Sequence, residues 1–390
     1  MKRFTYILVL LSIIFTSCNK DGGPESIAKR TTLIYMAGDN DLSSFADDNT
    51  QSIIDACKTL NHFTDINLLI YKDTQGKEPQ LLYIDNNGSR IIKEYPGEIS
   101  SSQRGLSLAI QDMIKSFTAE TYSLVLWSHG TAWLPANFTL VHTSSMATLY
   151  TVGGVAYPPT KTFGHQVVNN TTYEIELDEL KRTIPTGVFD YIVFDACYMG
   201  AVEVAYALRD KAQYIVASPC EIIADGFPYK DIVGELTSYS TPIKDICTSI
   251  ARKYFNYYSS HTDPSYRYAT VSVIRTSALE GLSSAVSGIV KSHTAEINTL
   301  KENSAQILDN YSRHFAYDLD SYMGLISSQS QYHTFTTALN DAVVYKASTA
   351  YMFNQRINTF CGLSSYIPLS SFSSLNTYYS LTEWYRDTYL

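Results

Sequence analysis

The sequence predicts an α/β fold in which helices pack on a mostly parallel β-sheet. Short runs of apolar, aromatic and β-branched residues recur along the chain, and their composition is typical of buried strands. Segments with the apolar spacing of helices lie between these runs, as expected when helices connect parallel strands. The runs are residues 31–37, 66–71, 122–127, 191–194 and 214–217.

The elements of the first part of the chain follow from local patterns. Residues 31–37 end at a glycine and are predicted to form a buried strand. Residues 42–60 have helical spacing, and we expect one residue of the Asp-Asn-Asp segment at 39–41 to cap that helix. Apolar residues on both sides of the Asn-Asn-Gly turn at 86–88 predict a hairpin. Helical spacing returns at residues 105–117.

The pattern changes in the later part of the chain. Residues 131–172 have no helical period and contain one charged residue, Lys161, so we predict an insertion loop with a hairpin of its own. We therefore divide the chain into an α/β domain at residues 31–235 and a mostly helical C-terminal subdomain at residues 236–390 that completes the fold. Helices are predicted at residues 174–182, 243–258, 278–300 and 332–345.

The N-terminus has the features of an export signal. A positively charged start precedes an apolar core at residues 6–15, and Cys18 follows two small residues. This segment resembles a bacterial lipoprotein signal, although Phe15 stands where such signals usually have leucine. We predict a signal peptide at residues 1–17 and a tether at 18–30 that is lipid-modified at Cys18. The alternative is a simple secretory signal in which Cys18 has no role.

Composition and cysteine spacing exclude several classes of protein. The net charge is −9 and no dense Lys/Arg cluster occurs, which argues against nucleic acid or an anionic membrane surface as a partner. No apolar run reaches the ~20 residues of a spanning helix, so we expect membrane attachment through the lipid alone, at the outer membrane or cell surface. The other cysteines are scattered, which predicts no disulfide framework and at least one free thiol. They are Cys57, Cys197, Cys220, Cys247 and Cys361.

Two predicted strand ends carry residues with the chemistry of a nucleophile and its base. His129 and Gly130 follow the run at 122–127, and Cys197 follows the run at 191–194. Because sites in open α/β sheets form at the carboxyl ends of strands, we expect the thiol and the imidazole to lie close together. Gly130 permits close approach of a substrate, and the N–H groups of Gly130 and Cys197 are candidate oxyanion donors.

These motifs resemble those of a known family. Residues 127–130 (WSHG) and 194–200 (FDACYMG) are similar to the core motifs of the clostripain family of cysteine peptidases, relatives of gingipains, legumains and caspases. The resemblance extends over roughly residues 31–368, and it implies a caspase-like three-layer α/β/α fold and a secreted cysteine endopeptidase. The sequence departs from caspase-type spacing of ~50 residues, because Cys197 lies 68 positions after His129.

The resemblance also implies cleavage of protein or peptide substrates after Arg or Lys. Independently of it, Asp195 lies two positions before Cys197, so both side chains are expected on one face of the strand, where a carboxylate could meet a basic P1 side chain. Asp225 is assigned to the same pocket by the resemblance alone. The sequence requires no cofactor or metal. Some relatives use calcium, and the acidic candidates for binding it here are Glu221 and residues 318–320. The favoured interpretation of these acidic residues is that they belong to a solvated surface.

Several relatives are precursors that cut themselves between the two catalytic strands. Lys161 is the one basic residue of the 131–172 insertion, so it is a candidate site of self-cleavage. The alternative is a solvated loop charge in an enzyme that works uncut.

Each site residue has a structural alternative as well. His129 could end a strand, Cys197 could be an inert thiol, Asp195 could bond to a helix N-terminus, and Asp225 could be a turn residue. The alternative function is a non-catalytic envelope lipoprotein that binds peptides or glycans, which the 31 tyrosines favour.

Overall fold

The computed structural model describes residues 27–60, 63, 65–136, 138, 163–353 and 355–390. Its strands are β1 (Ala28–Gly38), β2 (Ile66–Thr74), β3 (Gln80–Asp85), β4 (Gly88–Glu94), β5 (Ala119–Trp127), β6 (Gln166–Val168), β7 (Thr171–Tyr173), β8 (Phe189–Asp195), β9 (Ala212–Ala217), β10 (Thr270–Arg275), β11 (Tyr317–Asp318), β12 (Val343–Ser348), β13 (Tyr351–Met352), β14 (Gln355–Arg356) and β15 (Ser364–Ser365). Its helices are α1 (Ser43–Cys57), α2 (Gln103–Ser116), α3 (Leu177–Thr183), α4 (Val202–Ala207), α5 (Tyr229–Leu236), α6 (Ile243–Ser259), α7 (Leu279–Val290), α8 (Thr294–Ile297), α9 (Leu319–Ile326), α10 (Gln329–Ala342), α11 (Ser373–Tyr379) and α12 (Glu383–Tyr389).

A nine-stranded sheet forms the centre of the molecule, in the order β12-β10-β9-β8-β5-β1-β2-β3-β4. The five central strands, β9, β8, β5, β1 and β2, pair in parallel. The antiparallel pairs lie at the two sides of the sheet, with β3 and β4 on one side and β10 and β12 on the other. The mostly parallel α/β fold predicted from the sequence is therefore confirmed.

Helices cover both faces of this sheet because alternate residues of its strands are apolar. In β1, Leu33 and Tyr35 face one apolar core and Ile34 and Met36 face the other, and all four are fully buried. Helices α1, α5 and α6 contribute to the second core. Helices α2, α3, α4 and α7 contribute to the first. The result is the three-layer α/β/α arrangement of the caspase-like fold.

The C-terminal part differs from its predicted helices in two places. The helix predicted at residues 278–300 ends at Val290 as α7, because Ser292 and His293 bond back to carbonyls of its last turn. Strands β10 and β12 were not predicted at all, and β12 starts where α10 ends. Residues beyond 235 therefore extend the central sheet as well as covering it.

The structure describes only part of the insertion at residues 131–172. Within it, β6 and β7 form the expected hairpin. Lys161 and Cys18 lie outside the described residues. All described cysteines are free thiols. In the same part of the chain, no helix combines the length and apolar character needed to cross a bilayer.

Candidate active site

His129 leaves the carboxyl end of β5 at the middle of the sheet. Trp127 is in register with Asp195 of β8, and the Ser128 N–H donates a hydrogen bond to the Asp195 carbonyl over 3.2 Å. The Ser128 hydroxyl donates to the carbonyl of Ala37 in β1 over 2.6 Å. The residue before His129 is thus tied to both neighbouring strands, which fixes the direction in which the imidazole leaves the sheet.

Cys197 leaves β8, the neighbouring strand, at the same edge. The Ile222 N–H donates a hydrogen bond to its Sγ over 3.3 Å. The Cys197 side chain is partly exposed, whereas the other described cysteines are buried. Burial raises the pKa of the Cys57 thiol to about 12 and raises the pKa of Cys361 well above its ordinary value. Cys197 is therefore the described thiol best placed to react.

Gly130 brings the two strand ends into direct contact. A Cβ at this position would lie 2.6 Å from the Cys197 carbonyl oxygen and 3.1 Å from Sδ of Met199. No side chain fits in that space. A glycine is therefore required because the backbone of Cys197 comes so close, and not because of the φ angle of Gly130. The structure thus places the loop of His129 against the loop of Cys197, as predicted from the sequence.

The residue after Cys197 is held in a left-handed conformation. Tyr198 has φ of 63°, which is uncommon for a residue that is not glycine. Its N–H donates to the Cys220 carbonyl over 2.9 Å, and its hydroxyl donates to the carboxylate of Glu221 over 2.8 Å. Its ring packs on Phe315 with 5.0 Å between centroids. These contacts stabilise the sharp turn that follows the thiol.

One residue of the site was missed by the sequence analysis. Asp41 Oδ1 lies 2.7 Å from Nε2 of His129, and both side chains are partly buried. We expected an Asx residue of this segment to cap α1, and that prediction is wrong, because Leu42 is the N-cap residue and no side chain caps the helix. A signal was present in the sequence: the segment follows β1, which pairs with β5, the strand that comes just before His129.

Asp195 is the buried carboxylate of the site, with 2% of its surface exposed. Its Oδ2 accepts hydrogen bonds from the Phe227 N–H over 3.0 Å and from the Tyr229 hydroxyl over 2.9 Å. Its Oδ1 is buried and has no hydrogen-bond partner among the described residues. Burial raises the pKa of Asp195 to about 7, against the opposing effect of the Phe227 and Tyr229 hydrogen bonds.

Asp225 lies in the loop that covers this carboxylate. The next residue, Gly226, has φ of 72°, and a Cβ there would lie 2.6 Å from Oδ2 of Asp195. The Asp225 carbonyl accepts a hydrogen bond from the Asn49 side chain of α1 over 3.2 Å. Asp225 is partly buried, and burial raises the pKa of its carboxyl group. The structure therefore brings the backbone of Asp225 and Gly226 next to Asp195.

The sequence profile of the clostripain family matches residues 34–380. The chain belongs to the clostripain family. Members of this family are cysteine proteases, and the fold and the order of the two strand-end motifs agree with that assignment. No curated protein matches the chain.

Solved structures of clostripain-family proteases are similar to this chain over nearly its whole length. An inactive zymogen C11 protease from Parabacteroides distasonis is 31% identical, with a TM-score of 0.76, and 94% of this chain and 99% of that chain are covered. A secreted C11 cysteine protease from Bacteroides thetaiotaomicron, in complex with an irreversible peptide inhibitor, is 26% identical. Its TM-score is also 0.76, with 93% and 99% of the two chains covered.

The acidic segment at residues 318–320, suggested above as a calcium site, does not fit a metal ion. Asp318 accepts hydrogen bonds from the N–H groups of Ser321 and Cys361, and Asp320 accepts one from the Tyr332 hydroxyl. Across the described residues, no three His, Cys, Asp or Glu side chains are grouped so that they could hold an ion. We therefore derive no step that depends on calcium.

Proposed function

We propose that this protein is an exported cysteine endopeptidase that cleaves after Arg or Lys and uses His129 and Cys197 as its catalytic residues. The observation that carries this proposal is the contact between the two strand ends, in which Gly130 packs on the Cys197 carbonyl. The proposal is further supported by the partial exposure of the Cys197 thiol, because the other four described thiols are buried. A buried inert cysteine would not need this environment.

The proposed reaction proceeds through an acyl-enzyme. His129 takes the proton of Cys197, and the thiolate attacks the scissile carbonyl carbon. The N–H groups of Gly130 and Cys197 stabilise the oxyanion, and the imidazolium then protonates the leaving amine. Water, with His129 as general base, attacks the thioester and restores the free thiol. Every proton is passed through the one imidazole.

Asp195 and Asp225 are proposed to select the basic P1 side chain. The support for Asp195 is its buried Oδ1, a carboxylate oxygen for which the described residues supply no hydrogen bond. A guanidinium or ammonium group of a substrate would supply that partner and would favour the ionised carboxylate. Asp225, which is more exposed, would contribute charge at the side of the pocket.

This function is tested with four fluorogenic peptides that differ only at P1. We expect the purified mature protein to hydrolyse the Arg and Lys peptides and to leave the Asp and Ala peptides intact. Turnover of the Asp peptide at a rate comparable to the Arg peptide would contradict the specificity. Absence of turnover of all four peptides by the purified protein, both as the intact chain and after cleavage at Lys161, would contradict the enzymatic function.

Anchoring at Cys18 is a separate prediction. We expect the protein to partition into the detergent phase and to incorporate palmitate when it is expressed in a bacterial host. The Cys18→Ser variant should lose the label and appear in the soluble fraction, because one change removes the acylated thiol. A water-soluble mature chain that begins at another residue with a free amine would rule out this anchor.

Self-processing after Lys161 is the prediction for activation. It rests on the specificity proposed above and on the single basic residue of the 131–172 insertion. A similar protein from Parabacteroides distasonis is described as an inactive zymogen, which supports an activation step here. Incubation of the purified protein should produce a new N-terminus at Thr162, and Cys197→Ala should remain intact. An active enzyme that stays a single chain, or cleavage that persists in Cys197→Ala, would refute this route.

A further inference from the structure

We propose that Asp41 is a positioning residue for the catalytic imidazole, which would hold His129 in the tautomer that carries its proton on Nε2. This inference rests on the proposed function and extends it. It starts from one contact, the 2.7 Å between Asp41 Oδ1 and His129 Nε2. The two side chains are 29% and 13% exposed, so the pair is shielded from water on most of its surface.

The segment that carries Asp41 is fixed on both sides of that residue. The Asn40 side-chain amide donates to the carbonyls of Ala37 over 3.2 Å and His165 over 2.9 Å. The oxygen of the same amide accepts a hydrogen bond from the Leu42 N–H over 2.8 Å. Asn40 is buried. Asp41 therefore projects from a backbone that is tied to β1, to the hairpin region and to the start of α1.

The role follows from the hydrogen-bonding capacity of the two groups. An ionised carboxylate only accepts hydrogen bonds, and a neutral imidazole has one N–H. The contact with Asp41 therefore places the ring proton of His129 on Nε2. Nδ1 then has the lone pair and is the nitrogen that takes the proton from Cys197. When the ring becomes an imidazolium, the Asp41 carboxylate stabilises its charge.

The Asp41 side chain does not cap the helix that follows it. Helix α1 begins at Ser43, and its N-cap residue is Leu42. The neighbouring carboxylate, Asp39, accepts a hydrogen bond from the Gln166 side chain over 2.8 Å and does not contact the imidazole. Asp39 is thus a matched control: it has the same chemistry two residues away, without the contact with His129.

The first experiment compares Asp41→Asn, Asp41→Glu and Asp39→Asn. We expect Asp41→Asn to lower kcat for a P1-Arg peptide about 10²–10³-fold, because the amide supplies no charge and can present its NH₂ group to Nε2. KM should stay within about threefold, since Asp41 acts through His129 rather than on the substrate. Asp41→Glu should recover part of kcat, and Asp39→Asn should behave as the wild type.

The second experiment does not require peptidase activity. In protein labelled with ¹⁵N-histidine, the His129 signal, assigned with His129→Gln, should show the Nε2–H tautomer in the wild type and lose it in Asp41→Asn. An unchanged tautomer in Asp41→Asn, or a kcat equal to that of Asp39→Asn in an active enzyme, would overturn the role of Asp41. A wild type that hydrolyses no P1-Arg or P1-Lys peptide but has the expected tautomer would contradict the proposed function, and the assignment of Asp41 would stand.

Discussion

Replacing Cys197 with alanine is expected to abolish peptide hydrolysis. The expected fall in kcat is about 10⁶-fold, as in other enzymes that lose their nucleophile. No other described thiol is expected to take over, because Cys57, Cys220, Cys247 and Cys361 are buried. The change removes one sulfur atom, which accepts a hydrogen bond from the Ile222 N–H, so the fold should persist. The measurements are the initial rate of hydrolysis of a P1-Arg peptide and the midpoint temperature of thermal unfolding.

The matched control for this variant is Cys247→Ala. Cys247 is a buried thiol of α6 in the second apolar core, and its loss should leave kcat/KM unchanged. His129→Gln should match Cys197→Ala, since the thiol and the imidazole act as one unit. Residual hydrolysis by Cys197→Ala at more than about one per cent of the wild-type rate would show that another group is the nucleophile.

The second large effect is expected for Asp195→Asn. Asparagine has nearly the same shape and can still accept the hydrogen bonds from Phe227 and Tyr229, so the loop above it should keep its position. It lacks the charge that would pair with a P1 guanidinium. Removing one partner of a buried charge pair costs about 3–5 kcal/mol, so kcat/KM for Arg peptides should fall roughly 150- to 5,000-fold.

Asp225→Asn provides the comparison, because Asp225 is only partly buried and its charge is more screened. We expect a smaller loss for this variant, on the order of tenfold. The thermal midpoint of both variants separates a local charge effect from unfolding. An Asp195→Asn enzyme that cleaves Arg peptides as well as the wild type would show that Asp195 only supports the loop at residues 226–229.

The sequence was sufficient to locate the centre of the fold and the strand ends that carry the two candidate catalytic residues. Strand β8 and the second half of β5 are buried and rich in apolar residues, so their ends could be located from composition, and His129 and Cys197 each lie two residues beyond a strand end. The sequence explained Gly130 by close approach of a substrate, and it did not predict the contact with the backbone of Cys197.

The parts that were missed depend on contacts between distant residues. Asp41 and His129 are 88 positions apart, and only the parallel pairing of β1 with β5 makes them neighbours. Locally, the segment at 39–41 has the composition of a helix cap, which was the wrong prediction. Strand β12 follows α10 without a break, and its Val343-Val344-Tyr345 sequence is compatible with either period. Its place in the sheet is set by pairing with β10.

The central claim is that Cys197 is an activated nucleophile beside a pocket for a basic side chain. The most direct test is to label the wild-type protein with an acyloxymethyl ketone that carries Arg at P1, and to map the modified cysteine by mass spectrometry. We predict a single adduct on Cys197, absent with a P1-Asp probe and lost in His129→Gln. Equal labelling of several thiols, or an adduct on Cys197 that forms equally with the Asp probe, would contradict this account.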